Sequence, residues 1–184
     1  MKTFNYYRYE KKHLKCTTYY VLLAISLFFF FLEAAVNASA ATRASDALRT
    51  ALGSENAAEE FALNIFRFEL FFMITISTLN SALFYIREQG QAVPVISKYL
   101  FAPVDIKKIY RAKALLLLRG ASIFFIGGLI IYFSAAGIIL GAAAPLLQLL
   151  QQFGYALIFC IAAVIVLLLT DWQRSRHTVS SRRR

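Results

Sequence analysis

Four long apolar runs separated by short charged segments constrain this chain more than anything else in it. They cover about 17–36, 62–86, 114–140 and 149–170. Each is close to the ~20 residues that an α-helix needs to cross ~30 Å of hydrocarbon. The runs are continuous rather than alternating, which excludes a membrane β-barrel. Only 16% of the residues are charged and 59% are hydrophobic, whereas soluble domains carry about 25% charged residues. The expectation is an all-α, polytopic helical membrane protein with four transmembrane helices in one domain over 17–171. The expected location is a cell membrane of the bacterial plasma-membrane kind.

The charges set the orientation. Residues 1–16 carry net +4, 33–60 net −3, 87–119 net +5 and 171–184 net +4, and Arg67 and Glu69 cancel within the second run. Basic and acidic segments therefore alternate as four crossings require when basic loops stay in the cytoplasm. Both termini are then expected on the cytoplasmic side. In a soluble protein a net charge of +10 would point to nucleic acid; here the alternation accounts for it, and no nucleic-acid partner is expected.

The basic arm 1–16 interleaves Tyr6, Tyr7 and Tyr9 with Lys11, Lys12, His13 and Lys15. It reads equally as an interfacial helix on anionic lipid or as a tail whose role is orientation. The first run, with its basic start and small residues near Asn37-Ala38-Ser39-Ala40, also has the outline of a signal peptide. The long stretch before the apolar run favours retention as a crossing.

Beyond it, 39–52 reads as an outer amphipathic helix, a lid or a connector, ended by Gly53. Asn56 and Glu59 form a capping box for the next helix.

Charged and polar residues inside the apolar zone are functional candidates by default. They are Glu33, Arg67, Glu69, Asn80, Arg119 and Asp171. Arg67 and Glu69 stand two apart on a helix and do not face each other. Arg67 and Glu33 share a depth near the outer surface and are expected to pair, as a clamp. Arg119 and Asp171 are expected to pair at the inner surface. Ser77, Thr78, Asn80 and Ser81 suit hydrogen bonding between helices. Gly127, Gly128, Gly137 and Gly141 offer close helix packing, with Gly137 and Gly141 in small-xxx-small spacing. Trp172 marks an interface, and the basic tail 172–184 is expected to be disordered and to touch anionic lipid.

Cys16 and Cys160 differ in depth, so no disulfide is expected. His13 and His177 lie in different tails, and no metal or other cofactor is expected. No paired carboxylates, no nucleophile beside a base and no Gly-rich phosphate loop occur. The chain does not read as an enzyme.

One soluble-facing segment remains, 87–113. At its end Pro103 opens a short helix with Asp105 in its first turn. Val104, Ile106, Ile109 and Tyr110 are apolar, while Lys107, Lys108, Arg111 and Lys113 are basic. A helix this short does not stand alone in water and must dock on something.

Ala102-Pro103-Val104, then a mixed apolar and basic helix, then Lys113 before the third crossing, resembles the cytoplasmic coupling loop of type-two ABC exporter permeases. The resemblance covers about a dozen residues. It implies a membrane subunit of an export complex with a cytoplasmic ATPase subunit as partner. On it Val104, Ile106 and Ile109 would sit in a groove of the ATPase, and Lys107, Lys108 and Arg111 would meet its acidic rim. That family usually has six crossings, so a four-crossing chain would be a half-permease or an accessory member. The alternative is a non-transporting accessory or structural subunit that assembles laterally with other membrane subunits or with itself.

Overall fold

The computed structural model describes residues 5–14, 17–52, 65–88, 91–95, 105–139 and 146–181. The elements are α1 (Tyr6–His13), α2 (Thr17–Leu52), α3 (Ile65–Phe84), a hairpin of β1 (Tyr85–Glu88) and β2 (Gln91–Pro94), α4 (Ile106–Ile139) and α5 (Leu146–Ser181). Among the described residues three stretches are long and apolar enough to cross a membrane: Thr17–Ala40 in α2, Ile106–Ala135 in α4 and Leu150–Arg174 in α5. This is a multi-pass helical membrane protein.

The 36 residues of α2 span ~54 Å at 1.5 Å per residue, well beyond the hydrocarbon thickness. The helix expected separately over 39–52 is the far end of α2. No Gly or Pro interrupts 17–52, and the polar residues near its middle join the helix. Ser39 and Thr42 hydroxyls donate to the carbonyls of Ala35 and Ala38, at 2.7 and 2.9 Å. Gly53 and the Asn56–Glu59 box lie outside the described residues. The tail is ordered further than expected, since α5 stays helical through Ser181.

α3 is the shortest long helix, 20 residues or ~30 Å, and it carries Thr75, Ser77, Thr78, Asn80 and Ser81 along its second half. It packs against α2, α4 and α5. Neighbours on three sides let it keep polar side chains away from lipid: the hydroxyls of Thr75 and Ser26 meet at 3.1 Å across α3 and α2. This helix–helix hydrogen bond is thus made by Thr75, two positions before the first of the residues expected to supply it. Thr78 donates to its own helix at Ile74, and the buried Asn80 Oδ1 has no partner among the described residues.

Aromatic rings fill the centre. Phe30, Phe68, Phe72, Phe124 and Tyr132 are almost fully buried. Phe68 touches Phe30, Phe124 and Phe153 at centroid distances of 5.1, 5.4 and 5.9 Å, which ties α2, α4 and α5 to α3. Each such pair contributes about 0.5–1.5 kcal/mol beyond area burial. Between membrane helices, where lipid removes most of the hydrophobic driving force, packing of this kind decides association.

Close approach is secured at Gly128, where an added Cβ would lie 2.5 Å from the Phe68 ring, and at Gly127, 3.0 Å from Leu27. Gly137 meets nothing within 4 Å among the described residues, and Gly141, its partner in the small-xxx-small spacing, lies outside them.

α4 packs on α1, α2, α3 and α5. It is the axis of the bundle.

Candidate functional site

The basic end of α4 gathers the residues singled out in the coupling-like segment. Asp105 is the N-cap rather than a first-turn residue. Its Oδ1 accepts from the backbone N–H groups of Lys107 and Lys108 at 3.0 and 3.3 Å, and its carbonyl accepts from Lys108 and Ile109, satisfying donors that a helix start otherwise leaves open. Desolvation, the largest single influence on it, pushes its carboxyl up. The Lys108 backbone N–H, then the Lys108 side chain, outweigh this and hold the group below the ordinary aspartate value. Pro103 and Val104 lie outside the described residues.

From this cap the helix runs on without a break, so the short coupling helix is the first part of α4. Its faces sort differently from the expectation. Lys107, Lys108 and Arg111 are exposed and Ile106 is half-buried. Ile109 is only 3% exposed and so offers no surface to a partner. Tyr110 is also turned inward: its hydroxyl donates to the Leu168 carbonyl of α5 at 2.5 Å, and its ring meets Phe84 and Trp172.

Lys113 is the largest departure. Instead of facing water it is 4% exposed. Its Nζ donates to Glu10 Oε2 of α1 and to the Leu83 carbonyl of α3, both at 2.7 Å. The Leu83 carbonyl belongs to the last turn of α3, where carbonyls lack partners within the helix and a cation is favoured. Lys113 therefore holds α1, α3 and α4 together. The N-terminal arm is a docked helix, α1, capped by Asn5 Oδ1 accepting from Arg8 N–H at 3.0 Å. Its one acid, Glu10, is carried into the protein. A lone acid in a basic arm beside apolar tyrosines was the available signal for this contact.

The expected pair of Arg119 and Asp171 is not formed. Tyr110 reaches Leu168, so Asp171 stands near the level of Tyr110 on α4, and Arg119 is ~14 Å further along that helix. Arg119 Nη1 instead donates to the Tyr7 hydroxyl at 3.4 Å. Asp171 accepts from the Tyr85 hydroxyl at 2.7 Å, and Arg174 approaches the same hydroxyl at 3.3 Å. Burial, then the Asp171 carboxylate, raises the Tyr85 pKa, with Arg174 opposing. Tyr85 opens the hairpin, whose register pairs Tyr85 with Pro94 and Glu88 with Gln91. The two-residue connection ending in Gly90 was its sequence signal, missed beside the stronger apolar pattern.

At the other end of the bundle Arg67 Nη1 lies 3.3 Å from Glu33 Oε1, the meeting expected from their shared depth. Glu69 is half-buried. Cys160 is a buried free thiol. Among the described residues no group of three or more His, Cys, Asp or Glu comes together.

The fold and these contacts define a helical membrane protein whose basic end is organised around α4. No family model matches the sequence, and neither curated proteins nor solved structures yielded a match.

Proposed function

We propose that this chain is the membrane subunit of an ABC-type export complex, coupling a cytoplasmic ATPase to movement of a substrate. One observation carries the reading. From Asp105 onward, the described part of the segment that resembles a coupling loop continues unbroken into α4, which packs on the other four helices. A push at the tip would reach the bundle centre through one rigid helix, and the Lys113 clamp would pass it to α1 and α3. In this reading α3 is a fourth crossing, both termini lie on the cytoplasmic side, and ATP is hydrolysed by the partner.

The contact surface differs from that of a full coupling loop. Ile109 and Lys113 serve the inside of the protein, so the ATPase would meet Lys107 and Lys108 at the tip, where a positive rim suits an acidic groove.

The test is purification of the tagged protein from its native membranes in mild detergent, with mass spectrometry of its partners and an assay of ATP hydrolysis. A Lys107→Glu, Lys108→Glu variant is run alongside. A soluble ATPase that accompanies the wild type and is lost from a folded variant supports the reading. An ATPase-free preparation in which another membrane protein persists in both samples would favour the accessory-subunit alternative.

A further inference from the structure

Between α4 and α5 a groove of about 550 Å³ opens to the outside of the bundle, within the 300–1,000 Å³ usual for small-molecule sites. Ala114, Ala121 and Cys160 line it beside Leu115, Leu118 and Ile161. From Arg111 to Phe125 it follows α4 for ~21 Å, longer than the ~15 Å half-thickness of the hydrocarbon layer. Arg111 stands at its mouth and is shared with a second recess of about 580 Å³, lined also by Lys107, Tyr110 and Trp172.

Among the described residues neither recess is lined by a carboxylate. Three acids of this end are engaged elsewhere, Asp105 with Lys108 and the helix start, Asp171 with Tyr85, and Glu10 with Lys113. An apolar channel one leaflet deep, headed by a guanidinium and an ammonium beside an interfacial tryptophan, is complementary to one kind of molecule.

We infer that this groove is a binding site for an anionic glycerophospholipid. One acyl chain lies between α4 and α5, and the phosphate is held by Arg111 and Lys107 next to Trp172. Arg111 supplies a planar fork of donors to the phosphate, Lys107 a second positive charge, and the groove a cavity for one tail. A lipid that merely surrounds the protein would need none of these. The inference shares Lys107 with the ATPase reading, but Arg111, the groove and Trp172 lie on the flank of α4, and its test needs no ATPase.

Trp172 is the only tryptophan in the chain, so its fluorescence reports on this site alone. The full-length protein would be placed in phosphatidylcholine nanodiscs holding a minor fraction of lipid brominated on its acyl chains. Brominated phosphatidylglycerol is expected to quench Trp172 with roughly thirtyfold higher apparent affinity than brominated phosphatidylcholine, the order expected from two basic residues at a membrane surface. Arg111→Gln with Lys107→Gln should erase that preference. Ala114→Phe, which narrows the groove and keeps both charges, should weaken quenching by phosphatidylglycerol. Helical content by circular dichroism confirms that each variant is folded.

Equal quenching by the two lipids in the wild type would overturn the inference, as would a preference that survives in the double variant. Quenching absent with both lipids, alongside cross-linked dimers through this face, would assign the groove to a second copy of the chain.

Discussion

Lys113 Nζ lies 2.7 Å from Glu10 Oε2, and the two side chains are only 5% and 10% exposed. A residue two turns into α4 is thereby joined to one in the N-terminal arm, over 100 positions away. Removing one member of a buried pair leaves the other charged and unsatisfied, at a cost of about 3–5 kcal/mol. Lys113→Ala should therefore lower the thermal midpoint in detergent sharply. It should also release α1, read as faster amide exchange over Tyr6–His13. Replacing both, Glu10→Leu with Lys113→Met, should restore much of the stability, since buried pairs are often replaced by apolar residues without loss. A double variant as unstable as the single one would show that the Leu83 carbonyl, not Glu10, is the partner that matters.

The pair of Arg67 and Glu33 should behave differently. At 3.3 Å the Arg67 side chain is 60% exposed and that of Glu33 12%, so the pair is open on its arginine side, and pairs reached by solvent contribute about 0–1 kcal/mol. Arg67→Ala is expected to cost no more than about 1 kcal/mol. Thermal unfolding at low and high salt checks this, and a loss of several kcal/mol would restore Arg67 as a functional candidate.

Glycine positions on α4 should separate by what faces them. At Gly128 a Cβ meets the Phe68 ring, which is itself fully buried among other rings and has nowhere to move. Gly128→Ala should cost about 1–3 kcal/mol through overpacking. Gly120 is closest to the end of the flexible Leu79 side chain, so its alanine variant should cost less. At Gly137 nothing stands in the way. Alanine there should be neutral or stabilising by up to about 1 kcal/mol through helix propensity. Thermal midpoints of the three variants give the order.

Asp105 should make the start of α4 sensitive to acid. Its folded pKa lies below the ordinary value of 3.8. Its contribution is then fully present above that value and is lost as pH falls through the lower folded one. Amide protection at Lys107 and Lys108, corrected for intrinsic exchange, should drop over that interval. Asp105→Asn keeps a capping oxygen but does not titrate, and its protection should stay flat across the same range. A drop of equal size in the asparagine variant would assign the acid sensitivity to another group.

These cases show which features could be read before the structure. Membrane class followed from the apolar runs, because transfer into hydrocarbon depends on length and composition alone. The Glu33–Arg67 meeting followed from depth, which on antiparallel helices is set by counting residues. The same counting failed for Arg119 and Asp171. Their levels depend on where α4 and α5 begin, and α4 starts at Ile106, several residues before its apolar run. The small-residue pattern of α4 was legible, but the glycines that pack are those opposite Leu27 and Phe68, a pairing written on other helices.

By itself, then, the sequence determined the one-dimensional properties: which stretches are apolar, how the charges alternate, and how far apart two residues of one helix stand along it. Tertiary structure alone decided rotation and partnership. It turned Ile109 and Lys113 inward and left Lys107, Lys108 and Arg111 outside. It carried Glu10 from the basic arm to the end of α3, and it opened a groove between α4 and α5 headed by Arg111. The physical reason is that depth is fixed by rise per residue within one helix. The direction a side chain faces becomes a matter of energy only when a second helix, with its own unsatisfied groups, is packed beside it.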